Sequence, residues 1–498
     1  MSSPFYITTA INYPNGRPHI GHAYEAIAAD VIARFQRAQG REVFFQTGTD
    51  EHGLKMAQAA RAESIEPIEM ADRMVRIFKE MDELLNISYD RFIRTTEPAH
   101  HRASQAIWRA MAEKGDLYLG RYEGWYSVRD EAFYEDAELI ADEGGQKLSP
   151  QGTPVEWTVE ESWFFRLSAY QDRLLALYAE RPDFIRPDSR RNEVLRFVEG
   201  GLQDLSVSRT SFDWGVPVPD SPGHVMYVWL DALTNYITGV GYPDEGATWE
   251  RYWPADIHLI GKDVVRFHAV YWPAFLMSAG IELPKQVFGH GHVLLRGEKM
   301  SKSAGNVVDP LEMARRFGTD ALRYFLMREI SFGQDGSYSD EAIVTRCNAE
   351  LANSFGNLAQ RTFSMIAKNL DGLVPASGEA GADETLLAQV RDASLTLRER
   401  FDGLEFSLGL DAWMGAVFAC NAYVDAQAPW ALRKTDPDRM AAVLGTLAAA
   451  VEQLTVAVAP VIPASAERLL TYLEEGRTAG RIAPPQPLFP RLELEAAE

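Results

Sequence analysis

Residues 5–47 read FYITTAINYPNGRPHIGHAYEAIAADVIARFQRAQGREVFFQT. The apolar run at 5–11 predicts a buried strand, and apolar residues recur with helical spacing from Ala23 onward. Gly40 is suited to close that helix, and the apolar run at 42–47 predicts a second strand. A strand, a helix and a second strand in this order predict one βαβ unit of a parallel sheet.

The same alternation of strand and helix returns late in the chain. We expect a strand at 257–260, a helix near 266–279 and a strand near 287–289 to join the first unit in one parallel sheet. The expected fold class is therefore α/β, with ligands bound at the carboxyl ends of the strands.

Two other regions differ from this pattern. Residues 117–214 are rich in aromatic side chains and β-like runs, which indicates a domain inserted into the sheet domain. From about residue 339 the apolar spacing is helical throughout and predicts a helical bundle, with helices at 340–369, 384–402, 407–427 and 437–457. The predicted domains are 1–116 and 215–338 for the two halves of the sheet domain, 117–214 for the insertion and 339–498 for the bundle.

Composition narrows the class of protein. The chain has 498 residues, enough for two or three domains, and its formal net charge is −22. This charge excludes a uniformly basic nucleic-acid-binding surface, but it leaves room for a local basic groove. Two cysteines, Cys347 and Cys420, cannot form a disulfide framework or a metal cluster by themselves.

Neither a membrane span nor an export signal is expected. The longest apolar runs, near 268–281 and 440–451, are too short to cross a bilayer. The N-terminus has no basic segment followed by an apolar core. We therefore expect a cytoplasmic protein without a membrane partner.

The first motif, HIGH at residues 19–22, lies where the first strand gives way to the helix. Unpaired backbone N–H groups and the helix dipole make such a junction suited to binding a phosphate. Gly21 allows a nucleotide to approach the backbone, and the two imidazoles can donate hydrogen bonds to charge developing on a transferred phosphorus. The competing interpretation is a chance match, because so short a pattern also arises by accident.

The second motif is KMSKS at residues 299–303, in a stretch bounded by glycines. Lys299 and Lys302 can close over a polyphosphate and neutralise its charge as pyrophosphate departs. The competing interpretation is a solvated basic loop. The sequence contains no Walker A pattern, which disfavours a P-loop enzyme.

Together the two motifs resemble those of the class I aminoacyl-tRNA synthetases, and longer segments are similar to the methionyl-tRNA synthetase family in particular. These segments are AINYPNGRPHIGHAYE (10–25), TGTDEHG (47–53), YVWLDALTNY (227–236), LIGKDVVRFHAVYWPAFL (259–276), FGHGHVLLRGEKMSKSAGN (288–306), NLAQR (357–361) and AQAPWALRK (426–434). The resemblance covers nearly the whole chain. It implies a Rossmann-like parallel-sheet catalytic domain, split by an inserted domain and followed by an all-α anticodon-binding domain.

The resemblance also implies which residues bind each substrate. The methionine pocket would consist of Ala10, Ile11, Tyr13, Asp50, Arg209, Trp229, Ala232, Leu233, Tyr236 and His290. ATP would be bound by His19, Gly21, His22, Gly261, Asp263, Lys299 and Lys302, of which His19, His22, Lys299 and Lys302 would be catalytic. The anticodon would be bound by Asn357, Arg361 and Trp430.

Some of these residues have a competing structural interpretation. Within the implied pocket, Asp50 would hold the ammonium group of methionine and Arg209 would lie near its carboxylate. Aromatic rings suit a thioether, but each ring taken singly is more often a core residue. Without the resemblance, a packed bundle residue would be the favoured interpretation of Trp430. Of the remaining histidines, His52 and the pair at 100–101 are expected to be structural or solvated.

The implied activity is ligation of methionine to tRNA. The methionine carboxylate would attack the α-phosphorus of ATP, with Mg²⁺ as a substrate ion, and diphosphate would leave. The adenylate would then pass methionine to the 3′ end of a tRNA with a CAU anticodon, releasing AMP. The chain also stops soon after the bundle, so we expect a monomer.

One departure from the family pattern concerns zinc. Many members carry Cys-x-x-Cys knuckles in the inserted domain, where this chain has Ser127 and Asp130. Serine and aspartate at this spacing do not form a tetrahedral thiolate site, so we expect no structural zinc.

Two alternative functions remain open at this point. One is a related synthetase for another apolar amino acid, which amino-acid-dependent pyrophosphate exchange would distinguish. The other is a non-catalytic relative that binds tRNA as a regulator. The presence of both histidines of HIGH and of Lys302 argues against the second alternative.

Overall fold

The computed structural model describes residues 3–129, 132–142, 144–244, 246–298, 307–378 and 381–494. Backbone contacts divide the chain into two compact units. The first unit comprises Met1–Pro18, Gln36–Met81 and Ser88–His290, and the second comprises His19–Phe35, Asp82–Ile87 and Gly291–Glu498. The KMSKS segment, with Lys299 and Lys302, lies outside the described residues.

The strands of the described residues are mostly short. In chain order they are β1 Pro4–Thr9, β2 Glu42–Thr49, β3 Arg91–Arg94, β4 Leu117–Ser127, β5 Ala132–Tyr134, β6 Ile140–Ala141, β7 Lys147–Leu148, β8 Glu156–Phe165, β9 Ile185–Arg186, β10 Leu205–Ser206, β11 Ser208–Arg209, β12 Val225–Met226, β13 Ile257–Gly261, β14 Val287–His290, β15 Val293–Leu295 and β16 Gly336–Tyr338.

The helices are longest toward the C-terminus. In chain order they are α1 Ile20–Ala38, α2 Leu54–Ala62, α3 Pro67–Leu84, α4 Pro98–Glu113, α5 Gln171–Glu180, α6 Asp188–Glu199, α7 Val228–Thr238, α8 Ala247–Tyr252, α9 Trp272–Ala279, α10 Pro310–Phe317, α11 Thr319–Glu329, α12 Asp340–Cys347, α13 Asn357–Asn369, α14 Ala382–Asp402, α15 Phe406–Gln427, α16 Pro429–Thr435, α17 Pro437–Val458 and α18 Pro463–Ala479. Two π-helical segments, Phe267–Tyr271 and Asn348–Gly356, lead into α9 and α13, and 3₁₀ turns occur at Asp136–Glu138, Leu167–Tyr170 and Lys262–Val264.

The first unit is built on a six-stranded parallel sheet in the order β3-β2-β1-β13-β14-β9. Ile7 of β1 pairs with Phe45 of β2 on one side and with Ile257 of β13 on the other. Five of the six residues of β1 are buried, as expected for a central strand of a parallel sheet. The predicted parallel sheet is therefore confirmed.

The predicted insertion, residues 117–214, contains more than β-structure. Its largest element is a four-stranded antiparallel sheet in the order β10-β8-β4-β5. However, α5 and α6 also lie in this range, and β9 between them is the edge strand of the parallel sheet, paired with β14. The antiparallel sheet is thus one part of the range, and the chain returns to the parallel sheet at Ile185.

The core of the first unit is aromatic. Phe165, Tyr178, Tyr236 and Trp272 are fully buried members of one continuous cluster that also includes Val287 of β14. Aromatic side chains bury large areas, so this cluster supplies much of the apolar stabilisation of the sheet.

The second unit contains the predicted helical bundle. Trp413 of α15 is fully buried, with its ring against Tyr324 and Phe355, and its Nε1 donates to the Leu454 carbonyl of α17 at 2.9 Å. The helices predicted at 340–369, 384–402, 407–427 and 437–457 all form, although the first is divided by the π-helical segment.

One helix, α17, is long and apolar enough to cross a membrane by length and composition alone. Its most apolar window has a mean hydropathy of 1.7, and 61% of that window is buried within the protein. Burial of this kind is typical of a core helix in a bundle, so the helix is weak evidence for a membrane span.

Candidate functional site

Four of the predicted site residues lie at one edge of the parallel sheet. Ala10 follows β1, and its N–H donates to the Leu259 carbonyl of β13 at 3.0 Å. Asp50 follows the end of β2, while Gly261 and His290 pair directly at the ends of β13 and β14. Because the carboxyl ends of parallel strands are the usual ligand site of such sheets, this edge is the candidate site.

Tyr13 connects this edge to α2. Its hydroxyl oxygen accepts the backbone N–H of Met56 at 3.1 Å, and the Lys55 ammonium lies 5.1 Å from its ring centroid. Ile11 and Tyr13 are both half-buried, so neither is sequestered in the core. Tyr13 and Trp214 both pack against a small hydrophobic cluster that contains the methionines of α2 and α3.

Helix α7 carries the other apolar residues predicted for the methionine pocket. Ala232 and Leu233 are buried, and the half-buried Trp229 stacks on Phe267 with ring centroids 3.8 Å apart and an interplanar angle of 6°. This stacking fixes the indole plane of Trp229.

Tyr236, one turn further along α7, is held by a buried histidine. Its hydroxyl donates to His268 Nε2 at 2.6 Å, and His268 Nδ1 donates to the Val264 carbonyl at 2.9 Å. Burial lowers the pKa of His268 to about 4, so this ring is neutral at physiological pH. A neutral ring with its proton on Nδ1 orients the Tyr236 hydroxyl in one direction.

Arg209 is buried on the short ribbon of β11 and β12. Its Nη1 donates to Ser206 Oγ at 2.8 Å and to the Ser208 carbonyl at 2.7 Å. Its guanidinium carbon lies 4.6 Å from the ring centroid of Tyr227, immediately before α7. A guanidinium held in this way is a fixed positive charge.

A buried triad that the sequence interpretation missed lies beside these residues. Asp231 of α7 is fully buried, with Oδ2 at 2.6 Å from His52 Nδ1 and Oδ1 at 2.7 Å from His100 Nε2. Burial raises the pKa of Asp231, but the two histidines outweigh burial and hold that pKa well below its usual range. The sequence left two interpretations of His52 and His100, as structural or as solvated residues. Because both rings are buried and contact Asp231, the structural interpretation fits and the solvated one does not.

The triad joins two parts of the candidate site. His52 lies two residues after Asp50, and Asp231 immediately precedes Ala232. The loop after β2 is therefore fixed to α7 by the contact between His52 and Asp231. A lone aspartate in the otherwise apolar segment YVWLDAL was the only signal of this contact in the sequence.

Asp263 is placed differently from Gly261. It lies in the 3₁₀ turn Lys262–Val264 that follows β13, and its side chain is exposed. An exposed carboxylate just past the end of a central strand is accessible to ligand hydroxyl groups.

The HIGH motif forms the first turn of α1, because this helix begins at Ile20 rather than at the predicted Ala23. His22 Nδ1 accepts the backbone N–H of His19 at 3.0 Å, and His19 Nδ1 accepts the N–H of Gly21 at 3.1 Å. Since both Nδ1 atoms accept hydrogen bonds, both rings carry a proton on Nε2 and present it as a donor.

Gly21 is required by the close approach of one of these rings. A Cβ at this position would lie 2.9 Å from His19 Cε1 and 3.0 Å from its Nδ1. The two imidazoles stack with centroids 3.8 Å apart. The motif is therefore a compact pair of Nε2–H donors at a helix N-terminus, which suits phosphate oxygens.

The predicted anticodon residues also come together, in the second unit. The guanidinium carbon of Arg361 lies 5.7 Å from the ring centroid of Trp430, and Arg361 Nη2 is 3.5 Å from Asp425 Oδ1. Asn357 is exposed at the first turn of α13, one turn before Arg361. Trp430 is 52% exposed, so the alternative of a packed bundle residue is wrong.

The position of the family's zinc knuckle contains hydroxyl groups. Ser127 Oγ lies 2.6 Å from Thr153 Oγ1, which lies 2.8 Å from Ser149 Oγ, and all three residues are fully buried. Asp130 lies outside the described residues. Hydroxyl groups are not the nitrogen and sulfur ligands that zinc prefers, and the described residues contain no group of three or more His, Cys, Asp or Glu side chains suited to a metal ion. The hydroxyl cluster therefore does not fit a zinc site.

Comparison with family models gives two matches. Residues 5–363 match the model described as tRNA synthetases class I (M), and residues 374–482 match the anticodon binding domain of methionyl tRNA ligase. Together these matches include most of the chain.

Individual relatives match over their full length. The methionine--tRNA ligase of Brucella suis is 57% identical over 509 aligned positions, which include 99% of each chain. That of Mycobacterium tuberculosis is 54% identical over 98% of each chain. A solved structure of Mycobacterium tuberculosis methionyl-tRNA synthetase in complex with methionyl-adenylate has a TM-score of 0.95 and 54% identity, covering 98% of this chain and 100% of that one.

Proposed function

We propose, from the premise that this chain belongs to the methionyl-tRNA synthetases of class I, that it ligates methionine to tRNA through a methionyl-adenylate. The proposal rests on one observation: the carboxyl edge of the parallel sheet contains Ala10, Asp50, Gly261 and His290. These are residues expected for both methionine and ATP, and one edge of one sheet can hold both reactants.

Binding of methionine would use charge at one end and apolar surface at the other. Asp50 is suited to the ammonium group, and the fixed guanidinium of Arg209 is suited to the carboxylate. Ala232, Leu233 and the flat ring of Trp229 favour a flexible thioether. The Tyr236 hydroxyl is already satisfied by neutral His268, so the pocket does not demand a hydrogen-bonding group from the side chain.

Adenylation would proceed by direct displacement. A carboxylate oxygen of methionine attacks the α-phosphorus, the new P–O bond forms, and the bond to diphosphate breaks. The Nε2–H groups of His19 and His22 donate to phosphate oxygens as negative charge develops, and the glycine between them gives access to the helix N-terminus. Lys299 and Lys302 would neutralise the departing diphosphate, Mg²⁺ would accompany ATP, and Gly261 and Asp263 would contact the ribose.

Transfer to tRNA completes the reaction. A ribose hydroxyl at the 3′ end attacks the methionyl carbonyl, the ester forms and AMP leaves. Trp430 would stack on an unstacked anticodon base while Arg361 and Asn357 hydrogen-bond base edges, so a CAU anticodon would be selected. We further propose that the protein is a cytoplasmic monomer and that it binds no zinc. A stable dimer in sedimentation would contradict the monomer. Metal analysis that finds one tightly held zinc per chain would contradict the absence of zinc.

The first test is pyrophosphate exchange dependent on the amino acid. We expect exchange with methionine, and little with leucine or isoleucine. Preference for leucine or isoleucine would indicate a related synthetase, and absence of exchange with any amino acid would indicate a non-catalytic tRNA-binding protein. Asp50→Asn should raise the KM for methionine, whereas Asp172→Asn, a matched change of an exposed acid on α5, should not.

The second test is charging of transcripts that differ in the anticodon. A CAU transcript should be charged, and a transcript with another anticodon should be charged poorly. Trp430→Ala should lower kcat/KM for tRNA by about 10- to 100-fold, since base stacking contributes about 1–3 kcal/mol, while Trp430→Phe should retain most of it. Equal charging of all anticodons would refute the role of these residues.

A further inference from the structure

His258 lies in β13, beside the central strand β1 of the parallel sheet. Thr8 of β1 is its partner in the sheet register, and His258 Nδ1 lies 2.8 Å from Thr8 Oγ1. The backbone N–H of His258 donates to the Gln286 carbonyl at 2.9 Å, and the side chain is fully buried. The sheet therefore holds both the backbone and the imidazole ring of His258.

The imidazole ring of His258 stacks on the phenol ring of Tyr236. The ring centroids lie 4.1 Å apart, and the interplanar angle is 29°. At this distance the two faces are in van der Waals contact, so the phenol ring cannot move toward the sheet. His268 contacts the Tyr236 hydroxyl at 2.6 Å, so one histidine fixes the hydroxyl group and a second covers a face of the ring.

Two tryptophan rings border this stacked pair at greater distances. The Trp272 centroid lies 6.1 Å from that of Tyr236 at an interplanar angle of 60°, and the Trp253 centroid lies 6.3 Å from that of His258. Neither indole occupies the position of the imidazole ring. Truncation of His258 would therefore leave a cavity behind the phenol ring, because tightly packed cores relax only in part.

A separate set of hydrogen bonds attaches the end of α7 to the sheet. The Tyr6 hydroxyl of β1 donates to the Tyr236 carbonyl at 2.8 Å, and Gln46 Nε2 of β2 donates to Asn235 Oδ1 at 2.8 Å. Gly239 leaves room for Gln46, since a Cβ on this glycine would lie 1.4 Å from Gln46 Oε1. The backbone at Tyr236 is thus fixed independently of the stacked ring, and loss of that ring would free only the phenol side chain.

Packing alone does not favour histidine at this buried strand position. His258 Nε2 is buried and has no hydrogen-bond partner among the described residues, which is a cost that an apolar side chain would avoid. Burial lowers the pKa of His258 well below its usual range, so the ring is neutral. What distinguishes this side chain is a flat face against Tyr236 and an Nδ1 contact that orients the face.

Tyr236 is one of the residues expected in the methionine pocket, so the position of its ring sets the space available to the side chain of the amino acid. We propose that His258 is a positioning residue for specificity: its ring fixes the phenol ring of Tyr236 and thereby excludes side chains longer than that of methionine. This inference rests on the proposed function. Without the imidazole ring, the phenol ring moves toward the sheet and the pocket accepts a longer thioether.

The test compares methionine with ethionine, which has one more methylene group, in pyrophosphate exchange by the full chain. An apolar pocket distinguishes one methylene group by about 10- to 200-fold, and we expect His258→Ala to lower the ratio of kcat/KM for methionine to that for ethionine by about tenfold. His258→Phe retains a flat ring and should keep most of this ratio. Phe184→Ala is the matched control, because it truncates another buried ring of the same core cluster, one that stacks on Tyr178, and it should leave the ratio unchanged.

The outcomes separate this inference from the proposed function. If the unsubstituted chain shows no methionine-dependent exchange, the proposed function fails and the inference fails with it. If that exchange is present but His258→Ala keeps the ratio of the unsubstituted chain, the inference is wrong and the proposed function stands. The inference is also wrong if Phe184→Ala or His258→Phe lowers the ratio as much as His258→Ala does. If circular dichroism shows that His258→Ala is unfolded, His258→Val, which removes the ring but retains a residue favoured in strands, decides by the same ratio.

Discussion

Replacing Arg323 should destabilise the second unit more than any exposed charge change. The side chain is fully buried in α11, where Nη2 is 2.6 Å from Asp30 Oδ2 and 2.9 Å from the Pro460 carbonyl. Nη1 donates to the Leu85 carbonyl and Nε to the Val461 carbonyl, each at 3.0 Å. One guanidinium thus joins α1, the end of α3 and the turn after α17.

The magnitude follows from what Arg323→Met leaves behind. Three buried carbonyls lose a donor, and the fully buried carboxylate of Asp30 loses its contact with the guanidinium while its contact with Arg34, at 2.7 Å, remains. Breaking a buried ion pair by removing one partner costs about 3–5 kcal/mol. For a unit of this size we expect the midpoint of thermal unfolding to fall by roughly 6–20 °C.

The assay is thermal unfolding combined with hydrogen exchange of peptides from α11 and α17. Arg477→Met, at an exposed ion pair with Glu452, is the matched control and should change the midpoint far less. The double variant Arg323→Met/Asp30→Leu should recover part of the loss, because it also removes the buried carboxylate that has lost its contact with Arg323. An unchanged midpoint for Arg323→Met, or a double variant no more stable than the single one, would refute the electrostatic argument.

Three further predictions concern the first unit. Asp231→Asn removes the negative charge and one of the two acceptor oxygens that contact the histidines, so the loop at His52 should shift and KM for methionine should rise about 10- to 100-fold. An unchanged KM in steady-state exchange would show that the triad does not position this loop. Because the pKa of His268 is lowered to about 4, the unfolded chain binds a proton that the folded chain excludes, and stability should fall by about 1.4 kcal/mol per unit as pH drops from about 6.5 toward 4. His268→Gln should remove that slope from thermal unfolding curves, and identical slopes would count against a neutral ring. Thr153→Val removes the hydroxyl group that contacts Ser149, and we expect it to lower the free energy of unfolding by about 1–2 kcal/mol. Adding a zinc chelator should leave the melting curve of the unsubstituted chain unchanged. A shift of that curve with the chelator would contradict the absence of zinc at the hydroxyl cluster.

The sequence predicted those elements whose signal is local. Strands β1 and β2, which contain Ile7 and Phe45, appear in the sequence as apolar runs. Gly40 follows the end of α1 and has a φ of 78°. The long helices of the bundle show 3.6-residue spacing over several turns, so they too were predicted with small errors in their bounds.

Elements without such a signal were missed. Strand β9 has two residues, too few to show alternation, and it belongs to the parallel sheet only because β14 lies beside it. The early start of α1 at Ile20 depends on the side chain of His22 accepting the His19 N–H, which is a capping contact rather than an apolar pattern. Helices α16 and α18 were not predicted, although each begins with proline at its first turn.

The candidate site shows the same division. Residues in recognisable segments could be assigned roles in advance, and the structure places Arg361 against Trp430 and Gly261 beside His290. The partners of Asp231 lie 131 and 179 residues away in the chain, so no local pattern could reveal that two histidines contact this buried aspartate.

The order of strands in the parallel sheet has a consequence for synthesis of the protein on the ribosome. Strand β1 emerges first, yet its neighbour β13 is 250 residues away, as the contact between Thr8 and His258 shows. At about 5–20 residues per second, one edge of β1 waits roughly 10–50 s for its partner. During that interval an apolar strand edge is open to other chains, so nascent chains ending before β13 should depend on chaperones to remain soluble.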